Sequence, residues 1–385
     1  MKFPRDRVGI YKQQKREYKT FVPKPLPPSP PLDLDIKILN LLSRADQALG
    51  RLDGVAEVLP NPDLFVMMYV KKEAVLSSQI EGTQASLLDV LEFEAKALDP
   101  HKPTEAKEVV NYIKAINYGV EQIKEGKKIS LSLIKKIHYY LLEGIRGGAR
   151  EPGKIRTIQN WIGPPGGNIT DALFIPPDVN DMKKALKDLE LFIRKEDDLP
   201  PLIKAGLVHS QFETIHPFLD GNGRIGRLLI TLLLTRSQHL SRPLLYLSYY
   251  FKQNRTEYYE RLQAVRDKGE WESWLSFFLN GMYHASTDAI RTSMRILELR
   301  KEKQELISEK LGKKSGSALK LLDELFNRPL VTVNSIIEIT ALSYPNANRL
   351  ASIFGDLGLL KEITGQKRNR IYEFVEYMDI LNGGI

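Results

Sequence analysis

The 385-residue chain contains no cysteine, which excludes disulfides, a catalytic thiol and any thiolate metal site. No apolar run approaches the roughly 20 residues that a membrane helix needs. The stretch "MKFPRDRVGIYKQQKREYK" lacks the apolar centre of a secretory signal, so a cytoplasmic protein is expected. Self-similarity of solenoid period is absent. Histidines are few, and His101, His138, His239 and His284 stand at no ligand spacing from an acid, so no zinc site is expected. An acidic excess is missing too: the formal net charge is +8. Residues 1–32 carry eight Lys/Arg against Asp6 and Glu17, a balance of +6, so most of the excess sits in an N-terminal arm. Residues 301–385 carry twelve Lys/Arg against eleven Asp/Glu, and net charge gives no reason to expect nucleic-acid binding by the body.

What is present is a soluble globular composition, 42% hydrophobic and 27% charged, long enough for two or three domains. The arm, residues 1–34, ends in "VPKPLPPSPPLDLD", which is too rich in proline for a helix or central strand and reads as an extended surface strap. From Asp35 the apolar spacing becomes helical. Helices are expected at 64–82, 84–98, 104–124, 130–143, 178–195, 201–215, 224–238, 255–267 and 270–298. Residues 156–177, "RTIQNWIGPPGGNITDALFIPP", have strand-like ends around a Pro-Gly-Gly turn and predict a β-hairpin. The glycine- and lysine-rich stretch 310–320 reads as a linker. Beyond it, residues 316–385 have the rhythm of helix, helix-turn-helix and two strands, an order that resembles a winged helix. Its basic cluster, Lys361, Lys367, Arg368 and Arg370, falls on the wing, where contact with DNA or with protein both remain open.

The densest chemistry lies in "HPFLDGNGRIGR", residues 216–227. Its Gly221-Asn-Gly223-Arg-Ile-Gly226 also spells G-x-G-x-x-G, but a dinucleotide fold needs a strand before the first glycine. Here Ile203, Leu207, Val208, Phe212 and Ile215 mark a helix running into His216, and the Rossmann reading fails. A turn opening a buried helix has a different phosphate logic. Free N–H groups at a helix N-terminus, with the macrodipole, attract anions. Gly221 and Gly223 permit close backbone approach, and Arg224 and Arg227 offer two guanidinium forks. Asp220 supplies one hard oxygen, enough for an Mg²⁺ that otherwise binds phosphates and water. His216 can take a proton from a hydroxyl at neutral pH. Singly, each residue also has a dull explanation as cap, turn or surface ion pair; together they suit phosphoryl or nucleotidyl transfer.

The same twelve residues match the Fic-domain signature HPF-x-[DE]-GNGR-x-x-R at every specified position. The chain therefore resembles a Fic protein adenylyltransferase. The likeness extends to "FVPKPLPP", "LGRLDGV", "EAVLSSQIEGTQASLLDVL", "RTIQNWIG" and "FIPP". It implies Mg²⁺ and ATP, with AMP moved to Ser, Thr or Tyr hydroxyls of a target protein and to the chain itself. It implies His216 as base, Asp220 on the metal, the turn Gly221, Asn222, Gly223 and Arg224 as anion hole, and Ile225, Gly226 and Arg227 completing the nucleotide site. Phe218 becomes a buried anchor, and Asn254 in "NRTEYYERL" closes the adenine pocket, although Tyr258 and Tyr259 at helical spacing read equally as core. Residues 157–176 become a flap that registers an extended target segment. His209, two helical turns before His216, reads as structural.

Glu81 stands near a helix C-terminus, where a carboxylate faces the negative end of the dipole. Ser77-x-x-x-Glu81-Gly82 matches the Fic inhibitory motif [ST]-x-x-x-E-[GN]. The resemblance implies that Glu81 reaches Arg227, occupies the γ-phosphate space, and in some relatives serves AMP removal. The resulting expectation is a mainly α protein: a helical Fic core with a β-hairpin flap (126–298), an N-terminal helical region (35–125) and a C-terminal winged helix (316–385). The rivals are transfer of another phosphate-containing group, or a DNA-binding regulator using the core as nucleotide sensor. Partners implied are a protein substrate, DNA or protein at the winged helix, no membrane, and a second copy of the chain as an open alternative.

Overall fold

The computed structural model describes residues 5–14, 18–58, 62–94, 105–145, 151–164, 166–312 and 315–383. The mainly α architecture expected from the apolar spacing is what forms. After a short hairpin of β1 (Ile10–Gln13) and β2 (Lys19–Val22) come α1 (Ile36–Val58), α2 (Pro62–Ile80), α3 (Leu87–Glu94), α4 (Glu105–Lys124) and α5 (Leu131–Leu142). The segment 151–177 leads to α6 (Val179–Arg194), α7 (Pro201–Ile215), α8 (Asn222–Arg236), α9 (Ser248–Gln253), α10 (Arg255–Lys268) and α11 (Trp271–Leu311).

The centre is the pair α7–α8. All residues of α8 from Asn222 to Thr235 are buried, as are those of α7 from Leu202 except Lys204, which accounts for helices that are apolar nearly all round. Pro201 opens α7 at the one place where a missing N–H is harmless. Around this pair pack α4, α5, α6, α10 and α11, while α2 lies between α4 and α9 and also touches α8. The Trp274 indole of α11 donates to Gly206 O at 2.8 Å and pins α11 to α7. The arm is stapled down as well: Arg7 makes a buried ion pair with Glu272 at 2.6 Å.

Three expectations need correction. Among the described residues the hairpin expected at 156–177 is reduced to a single antiparallel bridge, Ile162 with Phe174, because its proline and glycine content leaves few residues able to form a ladder. The arm is not only a strap, since β1 and β2 pair in it from Ile10–Val22 to Gln13–Lys19. The helix expected to end at 298 continues to Leu311, where Leu299 and Ile307 keep one face apolar and buried. Of the stretch expected as a linker, Lys310 and Leu311 therefore belong to α11, and residues 315–320 open α12 (Ser315–Leu325). Then follow β3 (Leu330–Thr332), α13 (Val333–Thr340), α14 (Tyr344–Asp356), β4 (Lys361–Glu362), β5 (Ile371–Glu373) and α15 (Val375–Asn382). The three strands form one antiparallel sheet in the order β3-β5-β4. The short α9 and the terminal α15 have no counterpart in the sequence reading, and part of the helix expected at 84–98 lies outside the described residues, as does His101.

Candidate active site

His216 ends α7 with φ +50° and ψ 60°, a left-handed conformation that disfavours a residue bearing Cβ by about 1–2 kcal/mol. Two side chains hold it there. Arg156 donates through Nε to His216 O at 3.0 Å, and Asn160 donates through Nδ2 to the same oxygen at 3.2 Å and to Phe218 O at 2.9 Å. The fully buried Arg156 also reaches Ile158 O and Pro177 O, tying the segment after α5 to His216. The imidazole Nδ1 of His216 lies 3.3 Å from Glu213 O. A carbonyl can only accept, so Nδ1 carries the proton and Nε2 is left as the basic nitrogen. Burial lowers the His216 pKa to about 4, outweighing the Glu213 carbonyl, and nearby Arg266 lowers it further, so the ring is neutral at pH 7.

The turn after His216 is held from inside. Asn222 accepts the Phe218 N–H at 2.9 Å and donates to Phe218 O at 2.8 Å, closing residues 218–222 on themselves. The Phe218 ring stacks on His138 with centroids 3.8 Å apart and planes within 6°. His138 Nδ1 accepts the Gly153 N–H at 2.9 Å, which leaves Nε2–H to donate to Asp220 O at 2.9 Å. Burial holds the His138 pKa down at about 4, so this arrangement stays neutral. Gly221 caps α8 at φ +80°, a conformation glycine adopts without penalty.

The two arginines point to different partners. Arg224 donates to Glu108 Oε2 of α4 at 3.0 Å and to Asp220 Oδ1 at 3.3 Å. Asp220 Oδ1 also accepts the Gly221 N–H at 2.6 Å. Arg227 donates to Ser77 Oγ and Ser77 O, both at 2.8 Å, and to Glu81 Oε1 at 2.7 Å. Burial alone would lower the Arg227 pKa; the Glu81 carboxylate, together with Tyr258, Glu213 and Tyr259, outweighs it and holds the guanidinium well above its ordinary value. A Cβ on Gly223 would overlap Glu81 Oε1, so the carboxylate lies directly against the first turn of α8. That is where a phosphate would be attracted by the free N–H groups and the helix dipole.

Ile225 and Gly226 face inward, Ile225 into the core and Gly226 against the Glu213 carboxylate, rather than toward the turn. Asn254 sits between α9 and α10 with its side chain on Tyr250 O at 2.9 Å. His209 bonds the Tyr258 hydroxyl at 2.8 Å among Phe251 and Trp274, a structural arrangement that also makes Tyr258 core. Arg156, Asn160, His138 and Glu108 escape a reading based on spacing along the chain. "RTIQN" signals only a strand end, and a histidine on an apolar helix face signals core.

One carboxylate near a turn that attracts phosphates is a fitting donor set for Mg²⁺, which keeps waters and substrate oxygens as its other ligands. Among the described residues no group of three or more His, Asp or Glu forms a metal cage. No described helix is long and apolar enough to cross a membrane.

The Fic/DOC family N-terminal model matches residues 39–121, and the Fic/DOC family model matches residues 128–234. The chain is 30% identical over 211 residues to Protein adenylyltransferase Fic of Drosophila grimshawi, covering 51% of this chain and 39% of that protein. It is 34% identical over 118 residues to Protein adenylyltransferase fic-1 of Caenorhabditis elegans, covering 30% and 21%. The chain thus spans less than half the length of these curated relatives. A Fic family protein from Desulfovibrio desulfuricans shares the fold with TM-score 0.59 at 20% identity, over 89% of this chain and 97% of that one. A Fic domain containing signaling protein from Bacteroides thetaiotaomicron gives 0.51 at 16% identity, over 67% and 97%.

Proposed function

The chain belongs to the Fic/DOC family over residues 39–121 and 128–234, and on that premise we propose that it transfers AMP from ATP to a protein hydroxyl, restrained by Glu81. The observation that carries this reading is the pairing of a neutral His216, with Nε2 as its basic nitrogen, and an arginine-flanked helix N-terminus five to six residues on. In the reaction, the target oxygen attacks the α-phosphorus of ATP and forms a new P–O bond. The bond from the α-phosphorus to the bridging oxygen breaks, and pyrophosphate leaves. The hydroxyl proton passes to His216 Nε2, an acceptor because Nδ1–H is committed to Glu213 O. The residues Gly221 to Arg224, with Arg227 once released, bind the phosphate oxygens and hold the α-phosphorus in line. Asp220 would hold Mg²⁺, which when bound neutralises phosphate charge.

Target recognition is assigned to the flap, 157–176, where Ile158, Trp161 and Leu173 keep large apolar side chains exposed beside the segment that clamps His216. An extended target chain laid on that edge is held by main-chain bonds, with alternate side chains on the apolar patch. Asn254 is assigned to the adenine side of the site. The C-terminal module is read as a winged helix from its order α12-β3-α13-α14-β4-β5, with the basic turn at Lys367 and Arg368 free to meet a partner. A second copy of the chain remains an alternative for that partner.

Incubation with ATP labelled in the α-phosphate and a cell lysate, with wild type and Glu81→Gly, tests the reading. Label and a mass gain of one AMP on a protein support it. Another transferred phosphate group, or none with either variant, overturns it.

A further inference from the structure

Arg266 of α10 is a buried cation that the transfer chemistry above does not use. Its guanidinium is shared among three elements. Nε donates to Thr214 Oγ1 at 3.1 Å, Nη2 donates to Glu213 O at 3.4 Å, and Nη1 donates to Gln263 Oε1 at 3.2 Å. Its carbon Cζ lies 3.9 Å over the ring of Phe174, the flap residue bridged to Ile162. Glu213 O is also the carbonyl that fixes Nδ1 of the base. A second ring backs the first: Phe21 of β2 packs on Phe174 with centroids 5.9 Å apart, and its N–H donates to Ile175 O at 3.0 Å. The N-terminal arm therefore continues the flap on the side away from Ile162. Arg266 is sandwiched between that layer and the end of α7.

We propose that Arg266 is a positioning residue that ties the target-binding flap to the base, gripping the Phe174 face on one side and the Glu213 carbonyl that orients His216 on the other. The proposal rests on the assignment of the flap and His216 made above. A guanidinium suits the task, since its planar fork can serve Thr214, Glu213 and Gln263 at once while its face stacks on an aromatic ring. A cation at the C-terminal end of α7 also meets the negative end of that helix. Displacement of Phe174 by a misplaced target strand moves the guanidinium, and with it the carbonyl on which His216 is hung. A base aligned only over a well-seated flap favours targets that fit.

The charged groups around His216 are Arg266 from α10, Glu81 from the end of α2 and Arg156 from the segment after α5, while Glu213 on its own helix acts through its backbone carbonyl. Arg266 in turn faces Glu213, Tyr258, Tyr11 and Asp267. Removal of the Arg266 charge therefore raises the pKa of His216, and Arg266→Lys, which keeps the charge, should leave it low, whereas a rise in both variants would mark water entering a loosened site. The test is an NMR titration of the full chain with labelled histidine, the His216 signal being identified by its loss in His216→Ala. In Arg266→Met the His216 midpoint should move up by about half a unit or more. Phe174→Leu should move it in the wild-type background and not in Arg266→Met, because its effect passes through the guanidinium. An unmoved midpoint in Arg266→Met, or a Phe174→Leu effect indifferent to Arg266, overturns the proposal. Should Arg266→Met not fold, Arg266→Lys keeps the charge and loses the fork, and Phe174→Leu must then lose its effect in the lysine background. The titration needs no turnover. Absence of AMP transfer would sink the proposed activity alone, and an unmoved midpoint would sink this inference alone.

Discussion

Glu81 and Arg227 lie 146 positions apart in the chain, yet share an ion pair of 2.7 Å against the first turn of α8. On the proposed reading, the carboxylate lies where a phosphate oxygen would meet both a guanidinium and the N–H groups of the helix start. Ser77 on the preceding turn of α2 accepts from Nε and from the same Nη2 that donates to Glu81, so Arg227 has little freedom while α2 is in place.

Glu81→Gly should raise AMP transfer, self-modification included, by about tenfold or more, the worth of one charge-assisted contact. The gain should vanish in Glu81→Gly, Arg227→Ala, because the vacated site no longer has its cation. Equal rates for wild type and Glu81→Gly with the natural target present would assign Glu81 to AMP removal or to structure alone.

His216→Ala should lower transfer about 10²–10⁴-fold with ATP affinity retained, since the imidazole acts on the hydroxyl and not on the phosphates. With the His216 pKa lowered to about 4, the basic form persists on acidification. Transfer should hold steady down to about pH 5 and fall as pH drops through the lowered pKa. A pH–rate profile with its acid limb at the ordinary histidine value, about 6.5, would contradict the buried environment described for this ring.

Asp220→Asn keeps an acceptor for the Gly221 N–H and removes the charge. The Mg²⁺ concentration giving half-maximal transfer should rise about tenfold or more, an effect ordinary for a lost carboxylate ligand. An unchanged Mg²⁺ titration would restrict Asp220 to its contacts with Gly221 and Arg224.

His138→Phe retains a ring to stack on Phe218 but removes the hydrogen bonds that His138 makes with Asp220 O and the Gly153 N–H. Chemical denaturation should show a loss of about 2 kcal/mol or more, and His138→Gln, which can both donate and accept, should recover part of it. Equal stability of the two variants would mean that stacking alone supports the loop.

Several of these residues were legible one at a time. The signature at 216–227 and the motif at Ser77 and Glu81 are short-range patterns, and the helices that carry them follow from apolar spacing fixed by 3.6 residues per turn. The flap was legible as a break in that spacing but not as to its form, because prolines and glycines forbid a ladder without saying what replaces it. The break at 310–320 misled for a related reason. Glycine and lysine lower helix propensity or add charge, whereas the buried apolar face of α11 carries the helix on to Leu311.

By itself the sequence determined which chemistry the site can hold: a base, an acid, two guanidiniums and a helix start within twelve residues. Only the tertiary structure decided what those groups meet. Arg224 finds Glu108 from α4, Arg227 finds Glu81 from α2, and His216 is held in its left-handed turn by Arg156 and Asn160. Spacing along a chain reports neighbours within a turn or two of helix, while these partners arrive from other elements. Their meeting is set by how α2, α4 and the segment after α5 pack around α7 and α8.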